Sequence, residues 1–381
     1  MERTFDKCEA LLADLQFAAV RAWKQRSGGK AVGYFPVYAP SEVIRAAGML
    51  PVALSGAGDR LDLQHADARF GSFICSIVKT TLEMGLTGYL EPFDGLLFST
   101  ICDSARNLCW VMKRSFPDRY TDFLHLPHNP ASASATEFLT AEYWRLAGEL
   151  EKLGGRTITA ETLCEAIGLY NRNRARLRDL YRLRAQSPHL IRAWEMYALV
   201  RAGNLLPVEE HTAMLEQVLA ELPGRGGKQR DSVRVVIEGS FCEQPPLDAI
   251  KVVEQAGCYV VDDDFGLGRN WFTSDVPLDG DPMRALAASY LDRAAYSSVR
   301  HDMRQPRWDG LIEKVRRSRA DAVLLLIAKF CEPAYFDYVL FKKKLEQAGI
   351  PHLLVEFEEK LFTFDRLRAE VETFVESLVF D

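Results

Sequence analysis

The chain has 381 residues, 48% hydrophobic and 26% charged, the balance of a folded globular protein with room for two or three domains. A net charge of −6 excludes non-specific nucleic-acid binding as its main activity, and no apolar run is long enough to span a bilayer. The charged opening Met1-Glu2-Arg3-Thr4 does not resemble a secretory signal, so a cytoplasmic protein is expected, in which the eight cysteines are not a disulfide framework.

Apolar spacing at Leu11, Leu12, Leu15, Ala18 and Val20 predicts one helix from about Glu2 to Arg26, ended by Ser27-Gly28-Gly29. An α/β alternation follows: strand 32–35, helix 41–47, strand 49–54, helix 65–85, strand 95–100, helix 103–116 and strand 123–127. Residues 135–153, 159–184, 190–205 and 208–222 show helical spacing without a strand, and 223–230 has the composition of a linker. A second alternation then gives strand 233–238, helix 248–256, strand 259–263, helices 282–295 and 310–319, strand 322–328, helix 334–348, strand 352–358 and helix 365–378. This pattern predicts an α/β protein with two doubly wound, flavodoxin- or Rossmann-like parallel-sheet domains at 31–130 and 231–381. A helical insert at 131–230 separates them, and an N-terminal helical segment occupies 1–30.

Two apolar runs each end on a cysteine at the mouth of a helix: Phe93 to Ile101 before Cys102-Asp103-Ser104, and Ala322 to Phe330 before Cys331-Glu332-Pro333. Carboxyl ends of strands in open α/β sheets are where ligands bind, and a helix N-terminus offers free N–H groups and partial positive charge. Both favour a thiolate and an anionic cluster. With Cys75 in Phe73-Ile74-Cys75-Ser76, the two form a trio suited to an iron–sulfur cluster assembled from distant segments, since no CxxC or ferredoxin-type run occurs. A cysteine after a buried strand is otherwise a small core hydrophobe. Cys109, two turns beyond Cys102, is read as packing; Cys242, which also ends a strand, has a possible role in the cleft; Cys8, Cys164 and Cys258 are read as core.

Other motifs carry less. Gly226-Gly227-Lys228 precedes a strand and lacks a following Ser or Thr, and Gly56-Ala57-Gly58 lacks a third glycine, so neither a phosphate loop nor a dinucleotide fingerprint is present and the chain is not expected to hydrolyse ATP. His301, in Arg300-His301-Asp302, is a candidate proton donor or a plain loop histidine. His125 and His128 are placed at a strand end by the cleft, and Asp262-Asp263-Asp264 is expected to be solvated loop charge.

The segment Gly33-Tyr34-Phe35-Pro36-Val37-Tyr38-Ala39-Pro40-Ser41-Glu42-Val43-Ile44, with Ala46-Ala47-Gly48-Met49-Leu50-Pro51-Val52, resembles the opening of the 2-hydroxyacyl-CoA dehydratase / benzoyl-CoA reductase family. So do Cys75-Ser76, the stretch from Phe93-Asp94-Gly95 to Cys102-Asp103, and Lys329-Phe330-Cys331-Glu332-Pro333 followed by Ala348-Gly349-Ile350-Pro351. The resemblance implies that Cys75, Cys102 and Cys331 bind a [4Fe–4S] cluster, its fourth iron left to solvent, sulfide, substrate or a second cluster. It also implies a homologous sister subunit, and a separate ATPase or activator with its own bridging [4Fe–4S] cluster that uses ATP and Mg. Reduced ferredoxin would be the upstream donor and an aromatic acyl-CoA the substrate. The Gly-Tyr-Phe-Pro-Val-Tyr opening and Phe241-Cys242-Glu243-Gln244-Pro245-Pro246 are most similar to the smaller cluster-bearing subunit of the ATP-dependent benzoyl-CoA reductase branch. The segment from Phe364 to Phe374 departs from the Gly-Gln-x-x-Thr-Arg pattern of dehydratase subunits, and Val37 stands where many of these have a small polar residue. A dehydratase subunit and a double-cubane relative, with Cys109 or Cys242 as added ligands, are the alternatives.

Overall fold

The computed structural model describes residues 1–35, 37–154, 156–239, 242–264, 274–293, 306–358 and 364–380. Two helices, α1 (Glu2–Ala13) and α2 (Ala18–Ser27), precede the first α/β unit: β1 (Ala31–Phe35), α3 (Ser41–Ala46), β2 (Leu50–Ala53), α4 (Ser76–Leu86), β3 (Gly95–Ser99), α5 (Asp103–Ser115) and β4 (Tyr120–Leu124). Four helices follow: α6 (Ala135–Gly154), α7 (Ala160–Gln186), α8 (Ala193–Ala202) and α9 (Val208–Glu221). The second unit contains β5 (Val233–Gly239), α10 (Leu247–Gln255), β6 (Cys258–Asp263), α11 (Pro282–Arg293), α12 (Arg307–Ser318), β7 (Ala322–Ala328), α13 (Glu332–Gln347), β8 (His352–Phe357) and α14 (Asp365–Phe380).

Each unit builds a four-stranded parallel sheet, in the orders β2-β1-β3-β4 and β6-β5-β7-β8. Relative to chain order these are the same topology, so each sheet reverses its winding direction between its first and third strands. Strands β3 and β7 are buried on both faces, with every residue of each buried. The expectation of two doubly wound parallel sheets is met.

Helix α7 ties the two units together. Its 27 residues make a rod roughly 40 Å long. At its middle, Arg174 forms a 2.6 Å ion pair with Glu42 of α3, both side chains almost fully buried. Toward its C-terminal end, the Tyr181 hydroxyl donates to Asp263 of β6 at 2.7 Å and Arg184 pairs with the same carboxylate at 2.6 Å. Helix α11 also crosses back, placing Met283, Leu286, Ala287 and Tyr290 in the core of the first sheet.

Three local differences from the sequence reading have physical causes. The expected single N-terminal helix is two, because Asp14 accepts from the N–H groups of Gln16 and Ala18 (2.8 and 2.6 Å) and caps α2. Phe17 takes φ 52° there and turns its ring edge-on to Phe93. The helix expected from His65 starts at Ser76, because the Glu83 carboxylate accepts from the His65 and Ala66 N–H groups (2.9 and 2.7 Å) and holds the preceding stretch as a folded loop. Strand β4 begins at Tyr120, which pairs with Gly95, three residues before the expected start at 123.

Candidate metal centre

The carboxyl ends of the strands deliver the thiols. Strand β3 ends at Ser99 and β7 at Ala328; three residues on, Cys102 and Cys331 are the N-cap residues of α5 and α13. Cys75 is the N-cap of α4. The turn after β7 is sharp: Phe330 adopts φ 66°, a left-handed conformation unusual outside glycine, and the Cys331 N–H donates to the Ala328 carbonyl at 3.1 Å. In the first sheet, the Ser99 hydroxyl donates to the Val37 carbonyl at 2.8 Å, joining the ends of β1 and β3 where the winding reverses.

A fourth thiol belongs to the same neighbourhood. Cys242 follows the end of β5 by three residues, as Cys331 follows β7 and Cys102 follows β3. Strands β5 and β7 are hydrogen-bonded neighbours, with Gly239 opposite Leu326. At Gly239 a Cβ would lie 1.7 Å from the Leu326 carbonyl oxygen, so only glycine permits this approach. Although Cys242 follows the second sheet, its side chain packs with Cys75 and Cys102 against the core of the first. The next residue, Glu243, is buried and accepts from the Ser76 hydroxyl at 2.7 Å and the Ile77 N–H at 3.2 Å, which pins the β5 loop to the mouth of α4 beside Cys75.

The electrostatics tie the group together. Burial pushes the Cys75 thiol well above its ordinary pKa, and the charges of Glu243, Cys102 and Cys331 add to that, while the Val78 N–H bonded to its sulfur opposes. Cys242 is raised by burial and then by Cys102, Cys331, Cys75 and Glu243. Cys102 is also raised by burial, offset in part by the Ala105 and Ser104 N–H groups at the start of α5. Burial raises the Glu243 carboxyl against the bonds it accepts at Ser76 and Ile77. The sequence-predicted trio Cys75, Cys102 and Cys331 thus lies within electrostatic reach of one neighbourhood, with Cys242 and Glu243 beside it. Cys242 carried a signal in its place after a strand; Glu243 carried only the parallel between Cys242-Glu243 and Cys331-Glu332.

The donor chemistry, thiols at helix N-termini, is the kind an iron–sulfur cluster takes. Among the described residues no three His, Cys, Asp or Glu side chains form a cage for one metal ion. A polynuclear centre spreads its thiolates over separate irons and needs them around a wider space. All eight cysteines are among the described residues, and none is in a disulfide. Cys8, 3.4 Å from the Met214 sulfur, and Cys258 are buried core residues, and Cys109 is buried against the first sheet, as expected; Cys164, also expected in the core, is only half-buried on α7.

Two other expectations differ. Asp262, Asp263 and Asp264 are buried, not solvated, and are held by Arg317, Arg184 and Arg307 respectively. Arg307 also pairs with Glu238 (2.8 Å) and Asp337 (2.5 Å), and Lys314 with Glu238 (2.7 Å). Burial raises the Glu238 and Asp264 carboxyls, but Lys314 and Arg307 outweigh it at Glu238 and hold that group low; Asp264, beside Glu238, stays raised. His125 and His128 are exposed, and His301 lies outside the described residues.

Two parallel sheets of one topology, with cysteines at the helix mouths that follow their strands, define an α/β protein with a candidate cluster site. The chain belongs to the family described as 2-hydroxyglutaryl-CoA dehydratase, D-component, whose model matches residues 36–378. It is 38% identical to a benzoyl-CoA reductase subunit of Thauera aromatica, covering 98% of this chain and 97% of that one. It is 29% identical to the (R)-phenyllactyl-CoA dehydratase beta subunit of Clostridium sporogenes, covering 93% of each chain. With the beta subunit of (R)-2-hydroxyglutaryl-CoA dehydratase from Acidaminococcus fermentans it shares 28% identity, over 92% of this chain and 93% of that one. Among the described residues no helix is long and apolar enough to cross a membrane.

Proposed function

We propose that the chain is the iron–sulfur subunit of an ATP-dependent aromatic-ring reductase acting on benzoyl-CoA or a ring-substituted relative, giving a cyclohexadiene-carbonyl-CoA. The observation that carries the choice of reaction is the 38% identity to a benzoyl-CoA reductase subunit, against 28–29% for the dehydratase subunits. The grouping of Cys75, Cys102 and Cys331 by mutual charge supports their role as cluster ligands. When bound, a [4Fe–4S] cluster supplies single electrons at low potential.

The chain's own residues hold that centre and tune it. The three cysteines bind as thiolates, and each enters from the mouth of a helix, where N–H groups stabilise negative charge. Val37, Tyr38, Ala39 and Ile101, buried at the ends of β1 and β3, keep water from the first-sheet side, and such burial lowers a cluster's potential. N–H bonds to the sulfurs from Val78, Ser104 and Ala105 act in the opposite direction. On the sequence argument alone, His301 is the candidate proton donor.

The relatives are named as subunits, and a sister subunit is proposed to cover the crevice. Exposed apolar side chains beside the thiols support this: Phe73 (69% exposed) near Cys75, Phe330 (41%) next to Cys331, and Phe336 (74%) with Val339 (64%) on α13. An ATP-using activator, fed by reduced ferredoxin, would drive the electron uphill. A dehydratase subunit is the second reading, favoured by the family description and the 28–29% relatives.

The test is an anaerobic assay of the chain with its co-purifying partners, given benzoyl-CoA and a strong reductant, with and without ATP. Ring reduction that consumes ATP in proportion to product supports the reductase. Dehydration of a 2-hydroxyacyl-CoA, with ATP needed only for activation, assigns the second reading.

A further inference from the structure

We infer that Cys242 is a fourth sulfur ligand of the metal centre, closing its open position from the second sheet while no substrate is bound. This rests on the proposed cluster at Cys75, Cys102 and Cys331 and goes beyond it.

Three independent placements carry the inference. The first is topological. Cys242 stands three residues past β5, and Cys331 three residues past β7. These strands are parallel neighbours, and adjacent strands lie about 4.8 Å apart, so their ends lead two cysteines into one crevice. The second is a latch. Glu243 bonds to Ser76 and Ile77 across the boundary between the two units, and this ties the residue after Cys242 to the residues that follow Cys75. The third is packing. The Cys242 side chain lies against the first core, as do those of Cys75 and Cys102. Cys8, Cys109 and Cys258 are instead buried in the hydrophobic cores.

A partly buried thiol beside other thiols is costly as a bare anion and becomes favourable on iron. On ligation the Cys242 thiol releases its proton to solvent and its sulfur bonds one iron, with no electron exchanged. Glu243, already committed to Ser76 and Ile77, positions Cys242 and is not itself a ligand.

The test uses the full chain, purified and reconstituted with iron and sulfide without oxygen, beside its Cys242→Ser and Cys242→Ala variants. Iron content, Mössbauer spectra and EPR after mild ferricyanide oxidation are read. The wild type is expected to hold about four irons, all in sulfur-only surroundings. The variants are expected to keep a cluster with one distinct iron, which oxidation removes, raising the three-iron EPR signal roughly fivefold or more over wild type. A wild-type cluster that already shows one distinct iron, and yields the three-iron signal as readily as the variants, overturns the inference and leaves the three-cysteine reading standing. A wild-type chain that takes up no iron and sulfide overturns both. Should the variants fail to fold, the wild-type Mössbauer spectrum decides alone.

Discussion

The two sheets share one topology and differ in what surrounds their carboxyl ends. Beside β1 and β3 the wall is apolar: Val37, Tyr38, Ala39 and Ile101 are all buried there. Beside β5 and β6 it is ionic, with Glu238, Asp264, Arg307, Lys314 and Asp337 joined in one buried network. One strand order has therefore been fitted as an insulating wall in the first unit and as a charged brace in the second. Cysteines follow the strand ends of both, so the candidate centre depends on the two walls holding register.

The largest expected effect comes from removing what the halves share. Cys75→Ser, Cys102→Ser and Cys331→Ser should each abolish most iron binding and lower activity by about 100-fold or more, as measured by iron analysis and anaerobic assay. Equal losses from both sheets would confirm a shared site, whereas loss confined to one sheet would separate them. Next, Arg307→Met should destabilise the second unit by roughly 3–5 kcal/mol, because the buried carboxylates of Asp264 and Asp337 lose their ion-pair partner and Glu238 keeps only Lys314. Denaturant unfolding checks this, and protection of β1 and β3 amides should outlast that of β5 and β6.

A third effect lies outside both sheets. His211 of α9 is buried, with Nε2 bonded to the Leu199 carbonyl and Nδ1 to the Asn173 amide, each at 3.0 Å. Burial lowers its pKa to about 4, opposed by the bond to Leu199. The unfolded chain therefore binds the extra proton between the unfolded value of about 6.5 and about 4, and folding stability drops as pH falls through that window. The loss should approach about 3 kcal/mol at the acid end, and His211→Asn should flatten this part of the pH–stability curve. The smallest effect is at the boundary itself. Glu243→Gln weakens the latch on Ser76 and Ile77 by about 1–2 kcal/mol, seen as faster hydrogen exchange at the Ile77 amide with global stability little changed.

Much of this fold was legible because its signals are local. Apolar runs such as Ala322–Ala328 cannot face water, and the N-terminal helix signals after Cys102 and Cys331 appear in the sequence itself. Where the reading failed, long-range polar pairing decided the outcome. Asp262-Asp263-Asp264 looks like loop charge until Arg184, Arg307 and Arg317 come to it from distant helices. Glu83 holds the stretch before Cys75 out of a helix from 18 residues away. The trio of site cysteines could be read from strand ends, but the Glu243 latch could not, since 167 residues separate it from Ser76.

Whether the sulfurs of Cys75, Cys102 and Cys331 meet on one inorganic centre is tested most directly by iron and acid-labile sulfide per chain after anaerobic purification, wild type beside the triple Cys→Ser variant. The account predicts about four of each in the wild type and essentially none in the variant. Equal iron and sulfide in the two proteins, or a colourless wild type without either, would contradict it.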